Sequence, residues 1–368
     1  MSSRTDLSVD LCGLSLANPF VLASGPLTWN AAAIQAAFNA GAAAAVTKTI
    51  RPRATVNPVP HIADAGRGSL LNTEGWSDFT ADEWLQRELP ALRGRPTGVL
   101  IASLGHTPEE VAELAGPVAE AGPDLLELVS YRAEDAAPMV AAAKARASLP
   151  VLIKVTANWP NLLDVVDACL QAGADGVTAI DSIGPTLRID VETGEPLLGS
   201  FAWLSGRAIL PISLRVVAQI CQRHGVPVVG TGGVGQAEDA VEMIMAGATA
   251  VGVHSLPLLQ GLGWFGKTLA RLERWLHAHG HSRLADLRGA ALPHLKGRGG
   301  VTRPHLPLTF TFDQETCTRC GRCVTVCAYG ARELTAEGEM RLDEEICRSW
   351  GLCVAVCAPG ALTALAGP

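Results

Sequence analysis

Seven of the ten cysteines fall between Cys317 and Cys357, whereas Cys12, Cys169 and Cys221 are scattered through the rest of the chain. The run Cys317-x2-Cys320-x2-Cys323-x3-Cys327 has the spacing by which three thiolates wrap one [4Fe–4S] cubane while a fourth reaches a neighbouring cluster. The second half reads Cys347-x5-Cys353-x3-Cys357-Ala-Pro359, with Trp350 standing where a second cysteine would complete the motif. In the crossed pattern, Cys317, Cys320, Cys323 and Cys357 hold one [4Fe–4S] cluster, and Cys327, Cys347 and Cys353 offer three thiolates to the other. Three thiolates suit a [3Fe–4S] cluster, or a [4Fe–4S] cluster with a non-protein fourth ligand. Trp350 offers only an indole N–H donor and cannot replace a thiolate. The competing readings are an empty second site filled by Trp350 as core, and a zinc site, which the spacing disfavours. An odd number of close-spaced cysteines also argues for metal ligation over disulfides.

A second chemistry-bearing stretch is Val226 to Ser255, where two short apolar strand-like runs flank a glycine-rich turn and a helical pattern from Glu238 to Ala246. Thr231, Gly232 and Gly233 let backbone N–H groups approach a ligand closely, and the next strand ends in His254 and Ser255. Paired turns of this kind late in an eight-stranded barrel hold a phosphate. The same residues spell G-x-G-x-x-G from Gly230 to Gly235. A dinucleotide site needs a ribose-binding acid roughly 20 residues on, and this strand ends Val253-His254 instead. NAD(P) is therefore not expected on this chain. Lys48 ends one apolar run and Lys154 lies inside another, Val151-Leu-Ile-Lys154-Val155. A lysine in a barrel strand is costly to bury without an anionic partner. The candidates are a reduced flavin or, for Lys154, a salt bridge within the barrel. Iron–sulfur ligation beside a phosphate cradle points to FMN.

Eight strand-like runs position these residues: FVLAS from Phe20, AAAVT, VLIAS, LLELV, VLIKV, GVTAI, VPVVG and AVGV. Mostly helical connections over about 250 residues give the rhythm of a (β/α)8 TIM barrel; a doubly wound sheet is the runner-up. Leu7 to Leu16, turning at Cys12-Gly13, reads as a hairpin closing the barrel floor or as a surface ribbon. Connections 48–97 and 181–210 follow the carboxyl ends of strands, where barrel enzymes keep their active sites, and read as lids or pocket walls. Residues 257–280 are expected to form the last barrel helix. The expected domains are a barrel over 1–280, a linker over 281–308 and a small α+β iron–sulfur domain over 309–368. A net charge of −7 weighs against nucleic-acid binding. No run is long and apolar enough to span a bilayer, since Ala31 to Val46 is broken by Gln35, Asn39 and Gly41. The N-terminal residues show no export segment, so a cytoplasmic homodimer is expected.

The motifs Asn18-Pro19, Ala23-Ser24-Gly25, Val46-Thr47-Lys48-Thr49, Leu71-Asn72, Leu126-Glu127-Leu128, Ile153-Lys154, Gly176 to Ala179, Ser205-Gly206, Pro211-Ile212 and Thr231-Gly232-Gly233 together resemble a known family. It is that of the FMN domain of dihydropyrimidine dehydrogenase and the class 1 dihydroorotate dehydrogenases, over roughly residues 7–275, with a ferredoxin-like tail. The resemblance implies that Ala23, Ser24, Gly25, Thr47, Lys48 and Lys154 contact the isoalloxazine and ribityl chain. It implies that Gly206, Thr231, Gly232, Gly233, His254 and Ser255 surround the phosphate, and that Asn72 binds substrate.

Two departures stand out. Where the family has Asn-x-Ser-Cys-Pro this chain has Val129-Ser130-Tyr131-Arg132-Ala133, and Asp181-Ser182 replaces an Asn-Thr pair. The usual acid and two amide-reading asparagines are gone. The leading expectation is an FMN- and iron–sulfur-dependent oxidoreductase that reduces or forms an activated C=C bond in a small, non-pyrimidine substrate. Tyr131 is the first candidate for proton donor and Asp181 the second, with Arg132 and Ser182 at the substrate. The alternatives are a dihydropyrimidine or dihydroorotate dehydrogenase proper, a non-catalytic electron-relay subunit, and a barrel lyase or isomerase. A ferredoxin or a separate NAD(P)H-oxidising flavoprotein is the expected electron partner.

Overall fold

The computed structural model describes residues 5–95, 97–295 and 308–366. The chain divides into two compact units, Met1–Leu295 and Lys296–Pro368. In the first, β1 (Val9–Leu11) and β2 (Leu14–Leu16) form an antiparallel hairpin. Its turn residues Cys12 and Gly13 both have positive φ, +55° and +84°, the condition for a tight two-residue turn. Leu11 and Leu16 are buried in one cluster with Val21, Val46, Ile101, Leu125, Leu152, Val229 and Ala250. The hairpin is thus a stopper in the barrel and not a surface ribbon.

Strands β3 (Phe20–Leu22) and β4 (Ala44–Val46) begin the barrel. After an excursion containing β5 (Ile62–Gly66) and β6 (Ser69–Asn72), it continues with β7 (Val99–Gly105), β8 (Leu125–Val129), β9 (Val151–Val155) and β10 (Gly176–Ala179). A second excursion holds β11 (Ile183–Thr186) and β12 (Ala202–Gly206), and β13 (Val228–Thr231) and β14 (Ala250–Val253) close the ring. The eight barrel strands pair in parallel, β14 returning to β3. They are the eight apolar runs of the sequence, and nearly every residue in them is buried, as parallel strands covered on both faces require. The helix Pro108–Glu120 shows how the outer layer is specified: Thr107 caps it, Pro108 opens it, and Val111, Leu114, Ala115 and Val118 bury one face.

The two long connections meet each other. Strands β5 and β6 of the first join β11 and β12 of the second in one antiparallel sheet ordered β11-β12-β6-β5, with Asn72 opposite Trp203. The region expected as the last barrel helix is two helices, Ser255–Gln260 and Trp264–Ala278, separated at Gly261 with φ +81°. Of the segment read as a linker, residues 281–295 pack on the barrel unit through buried Leu284 and Leu287. Residues 296–307 lie outside the described residues.

In the second unit β15 (Leu308–Phe312) pairs with β18 (Leu362–Ala366), and β16 (Arg332–Leu334) with β17 (Met340–Leu342). Short helices Arg322–Thr325 and Leu352–Ala355 follow left-handed Gly321 and Gly351, so the unit is built of two similar halves. This is the small ferredoxin-like architecture expected for the cluster motifs. No described helix is long and apolar enough to cross a membrane.

Candidate active site

Lys48 leaves the end of β4 with its backbone N–H bonded to the Thr28 carbonyl. Its ammonium lies 2.8 Å from Glu74 and 2.6 Å from Asp78, both in the first long connection. Lys154, on β9, sits 3.4 Å from Asp181, just beyond β10. Burial alone would pull the Lys154 ammonium down, but Asp181 and then Glu127 outweigh it and hold its pKa above the usual lysine value. The internal salt bridge weighed for Lys154 is therefore present, and the same lysine lines a cavity at the carboxyl ends of the strands. That cavity opens to solvent at the carboxyl ends of the strands.

Ala23, Ser24 and Gly25 form one edge of the cavity. A Cβ on Gly25 would sit 2.6 Å from the His254 ring, so the chain must be bare there. His254 Nδ1 bonds the Ala23 carbonyl at 2.7 Å, and the Leu27 N–H reaches Nε2 at 3.5 Å. The carbonyl can only accept, so Nδ1 carries the proton and Nε2 is bare. Burial, reinforced by Lys154 and Lys48, pushes this imidazole down to about 4 against the opposing Ala23 hydrogen bond. It is neutral at pH 7 and brings no charge to an anion.

Gly206, Thr231, Gly232, Gly233 and Ser255 also line the cavity, and the Ser255 hydroxyl lies 3.0 Å from that of Ser205 beside Gly206. Gly232 and Gly233 have φ +111° and +92°, and a Cβ on either would strike Ser213 or Leu210. Only glycine keeps this turn open to a phosphate-sized group. The G-x-G-x-x-G decoy is occupied by its own helix: Asp239 accepts from the Gly235 and Gln236 N–H groups and pairs with Arg207. The cavity, its glycine cradle and its two cations fit FMN.

Asn72, Tyr131, Asp181 and Ser182 also line the cavity. The Tyr131 ring is stacked 5.7 Å from Trp203 and tilted 5.3 Å from Trp76. Its hydroxyl is pushed up, chiefly by burial and then by Asp181. Two expected residues are not in the lining. Thr47 is buried with its hydroxyl accepting from the Ser103 N–H, because strand alternation turns it away from Lys48's side. Arg132 points outward and pairs with Glu134 and Asp135, which open the next helix.

Several residues at the site were not anticipated. Glu74, Asp78, Trp76 and Trp203 come from connections with no periodic pattern. Glu127 was readable: a carboxylate inside Leu125-Leu-Glu-Leu-Val129 must find partners. It is fully buried beneath Lys154, with one oxygen accepting from the Thr178 hydroxyl at 2.8 Å and the other without a described partner. Burial pushes its carboxyl up, against Lys154 and Thr178.

In the second unit Cys317, Cys320, Cys323 and Cys357 line one cavity, and Cys327, Cys347 and Cys353 are not among its walls. Among the described residues no three His, Cys, Asp or Glu side chains converge as a single metal ion would require. The two halves wrap alike: Arg319 and Ser349 have φ +54° and +52°, and their N–H groups face the Cys317 and Cys347 sulfurs at 3.4 and 3.5 Å. Trp350 is half-exposed and packs edge-on to Tyr329, so it is not a buried core residue.

Residues 6–276 match the dihydroorotate dehydrogenase family model, and residues 309–358 match a 4Fe-4S dicluster domain. Among similar proteins are those named dihydroorotate dehydrogenase B (NAD(+)), catalytic subunit, from Methanosarcina mazei (35% identical), Pelobacter propionicus (32%) and Bacillus pumilus (31%). In each comparison 78% of this chain aligns with 96%, 99% and 97% of the relative, respectively. The remaining fifth or so of this chain lies outside those alignments. The chain belongs to the dihydroorotate dehydrogenase family of flavin-dependent oxidoreductases acting on CH–CH bonds, and carries a 4Fe-4S dicluster domain after its barrel.

Proposed function

We propose that the chain binds FMN in its barrel and oxidises or reduces a CH–CH bond in a small cyclic substrate of the dihydroorotate or dihydropyrimidine type, relaying electrons through its own clusters. What carries the reading is the meeting of Lys48, Lys154 and the Gly232-Gly233 turn in one cavity of a barrel of this family. The relatives' names favour this reaction class over the non-pyrimidine reading that the altered residues suggest.

When bound, FMN supplies a carrier that exchanges two electrons with carbon and single electrons with clusters. The backbone of Gly206, Gly232 and Gly233 holds the phosphate end. Lys154, paired with Asp181, and Lys48 would each offer a positive N–H donor to the flavin ring. Asn72 donates one amide N–H to the Trp203 carbonyl at 3.3 Å, which leaves its second N–H and its own carbonyl for the substrate. Tyr131 holds a proton at its hydroxyl, and Asp181 is the second candidate. In the crossed pattern Cys317, Cys320, Cys323 and Cys357 ligate a [4Fe–4S] cluster, and Cys327, Cys347 and Cys353 the second.

The relatives are named catalytic subunits, which implies a further subunit. Here we infer a separate ferredoxin or NAD(P)H-oxidising flavoprotein as electron partner, because the turn lacks a ribose-binding acid. Anaerobic titration of the FMN- and iron-loaded protein tests the reading. Dihydroorotate or dihydrouracil should bleach the flavin band, or orotate or uracil should restore it after reduction. NADH alone should do neither. A protein that retains no flavin, or whose flavin responds to none of the four, overturns it.

A further inference from the structure

The charged groups around the substrate end of the cavity are unevenly matched. Two lysines face it, and both are already neutralised: Lys48 bridges Glu74 and Asp78, and Lys154 pairs with Asp181. Three carboxylates thus answer two ammonium groups before the buried Glu127 is counted, and Glu127's burial favours its uncharged form. The remaining cationic candidates are committed or absent. Arg51 makes a two-pronged contact with Glu110 at 2.9 and 2.6 Å, Arg132 turns outward to Glu134 and Asp135, and Arg207 pairs with Asp239. His254 is neutral, its Nδ1–H given to Ala23.

The uncharged groups lean the same way. Asn72 gives one of its two amide N–H groups to the Trp203 carbonyl, so its side-chain carbonyl remains as an acceptor beside one further donor. The Gly75 N–H, a donor beside Glu74, is given to the Asn57 side chain at 2.7 Å. Trp76 and Tyr131 supply flat apolar wall, whose ring faces attract planar and cationic groups. A carboxylate brought here would meet Glu74 and Asp181 with, among the described residues lining the cavity, no unpaired cation to receive it, whereas N–H donors would meet both carboxylates.

Resting on the reaction class proposed above, we infer that the substrate of this site is a planar ring that presents N–H donors or positive charge toward Asp181, Glu74 and Asn72, and that bears no carboxylate. The site thereby discriminates against a ring acid such as orotate.

The FMN- and iron-loaded protein is titrated at equilibrium with orotate, uracil and a protonated diaminopyrimidine, each followed by its perturbation of the flavin spectrum. Uracil or the diaminopyrimidine should bind at least tenfold tighter than orotate. Glu74→Gln combined with Asp181→Asn should shrink that preference by tenfold or more, because it removes both cavity-lining carboxylates, freeing Lys154 and leaving Lys48 with Asp78 alone. The ranking in the unmodified protein decides the question even if the double variant does not fold. Orotate binding as tightly as the other two overturns the inference and leaves the oxidoreductase reading standing. Binding of none of the three overturns the inference, and if dihydroorotate and dihydrouracil also fail to bleach the flavin, the reaction class falls with it.

Discussion

Tyr131 enters the cavity from the loop after β8 with its ring between two tryptophans, and that packing sets how the phenol can act. The residue is about half-exposed, but desolvation of its hydroxyl and then Asp181 raise an already high pKa, so it can give a proton but is a weak acid and depends on a strongly basic carbon to receive it. Tyr131→Phe preserves the stack and removes the donor. It should leave FMN and iron content unchanged and slow substrate-dependent flavin reoxidation by about 10²-fold or more; an unaltered rate would move the role to Asp181. His254 makes a second prediction. Its folded pKa, about 4, lies below the ordinary 6.5, so the unfolded chain takes up the proton first as pH falls. The stabilisation is complete above pH 6.5 and is lost toward pH 4, by at most about 3 kcal/mol. Urea unfolding of flavin-free protein should show that slope between pH 7 and 5, and His254→Gln should flatten it. At this scale the two lysines were legible, because charge inside an apolar strand demands a partner. Glu74 and Asp78 were not, since nothing in their surroundings tells which residue of a 50-residue connection will turn inward.

The barrel strands announce themselves as short apolar runs because both faces are covered, and that is why all eight could be read from residues 20–253. Strands β5, β6, β11 and β12 carry mixed, half-buried sequences such as Ala202-Trp-Leu-Ser-Gly206, and pair only with one another across long distances in the chain. No local period marks them. The Gly232-Gly233 turn lies between these extremes: its glycines were visible, and the structure adds what they avoid. Gly233→Ala puts a methyl against the Leu210 backbone at a φ of +92°. This should cost roughly 1–3 kcal/mol. It should also release FMN, measured as flavin fluorescence in the filtrate, while the iron content is unchanged. Retention of flavin at the parental level would place the phosphate elsewhere.

For the molecule as a whole, the iron–sulfur unit matches a family model of its own, separate from that of the barrel. Its second half keeps the left-handed residue, the N–H to sulfur contact and the short helix of the first half, although Trp350 stands at the second cysteine position. Backbone shaped for a cluster argues for a filled site. The protein should carry about seven irons, with an EPR signal from an oxidised three-iron cluster, and Trp350→Cys should raise the count to about eight and abolish the signal. Four irons in the parent would mean an empty second site. The sheet that joins the two long connections has a consequence of another kind. Asn72 and Trp203 are 131 residues apart, yet their strands share one ladder over the cavity. Neither loop can lift away without unzipping the other, so the entrance works as a clasp and not as two independent flaps. Deuterium should therefore reach the amides of β6 and β12 at a single common rate, and that rate sets the ceiling on how fast a ligand needing that opening can leave.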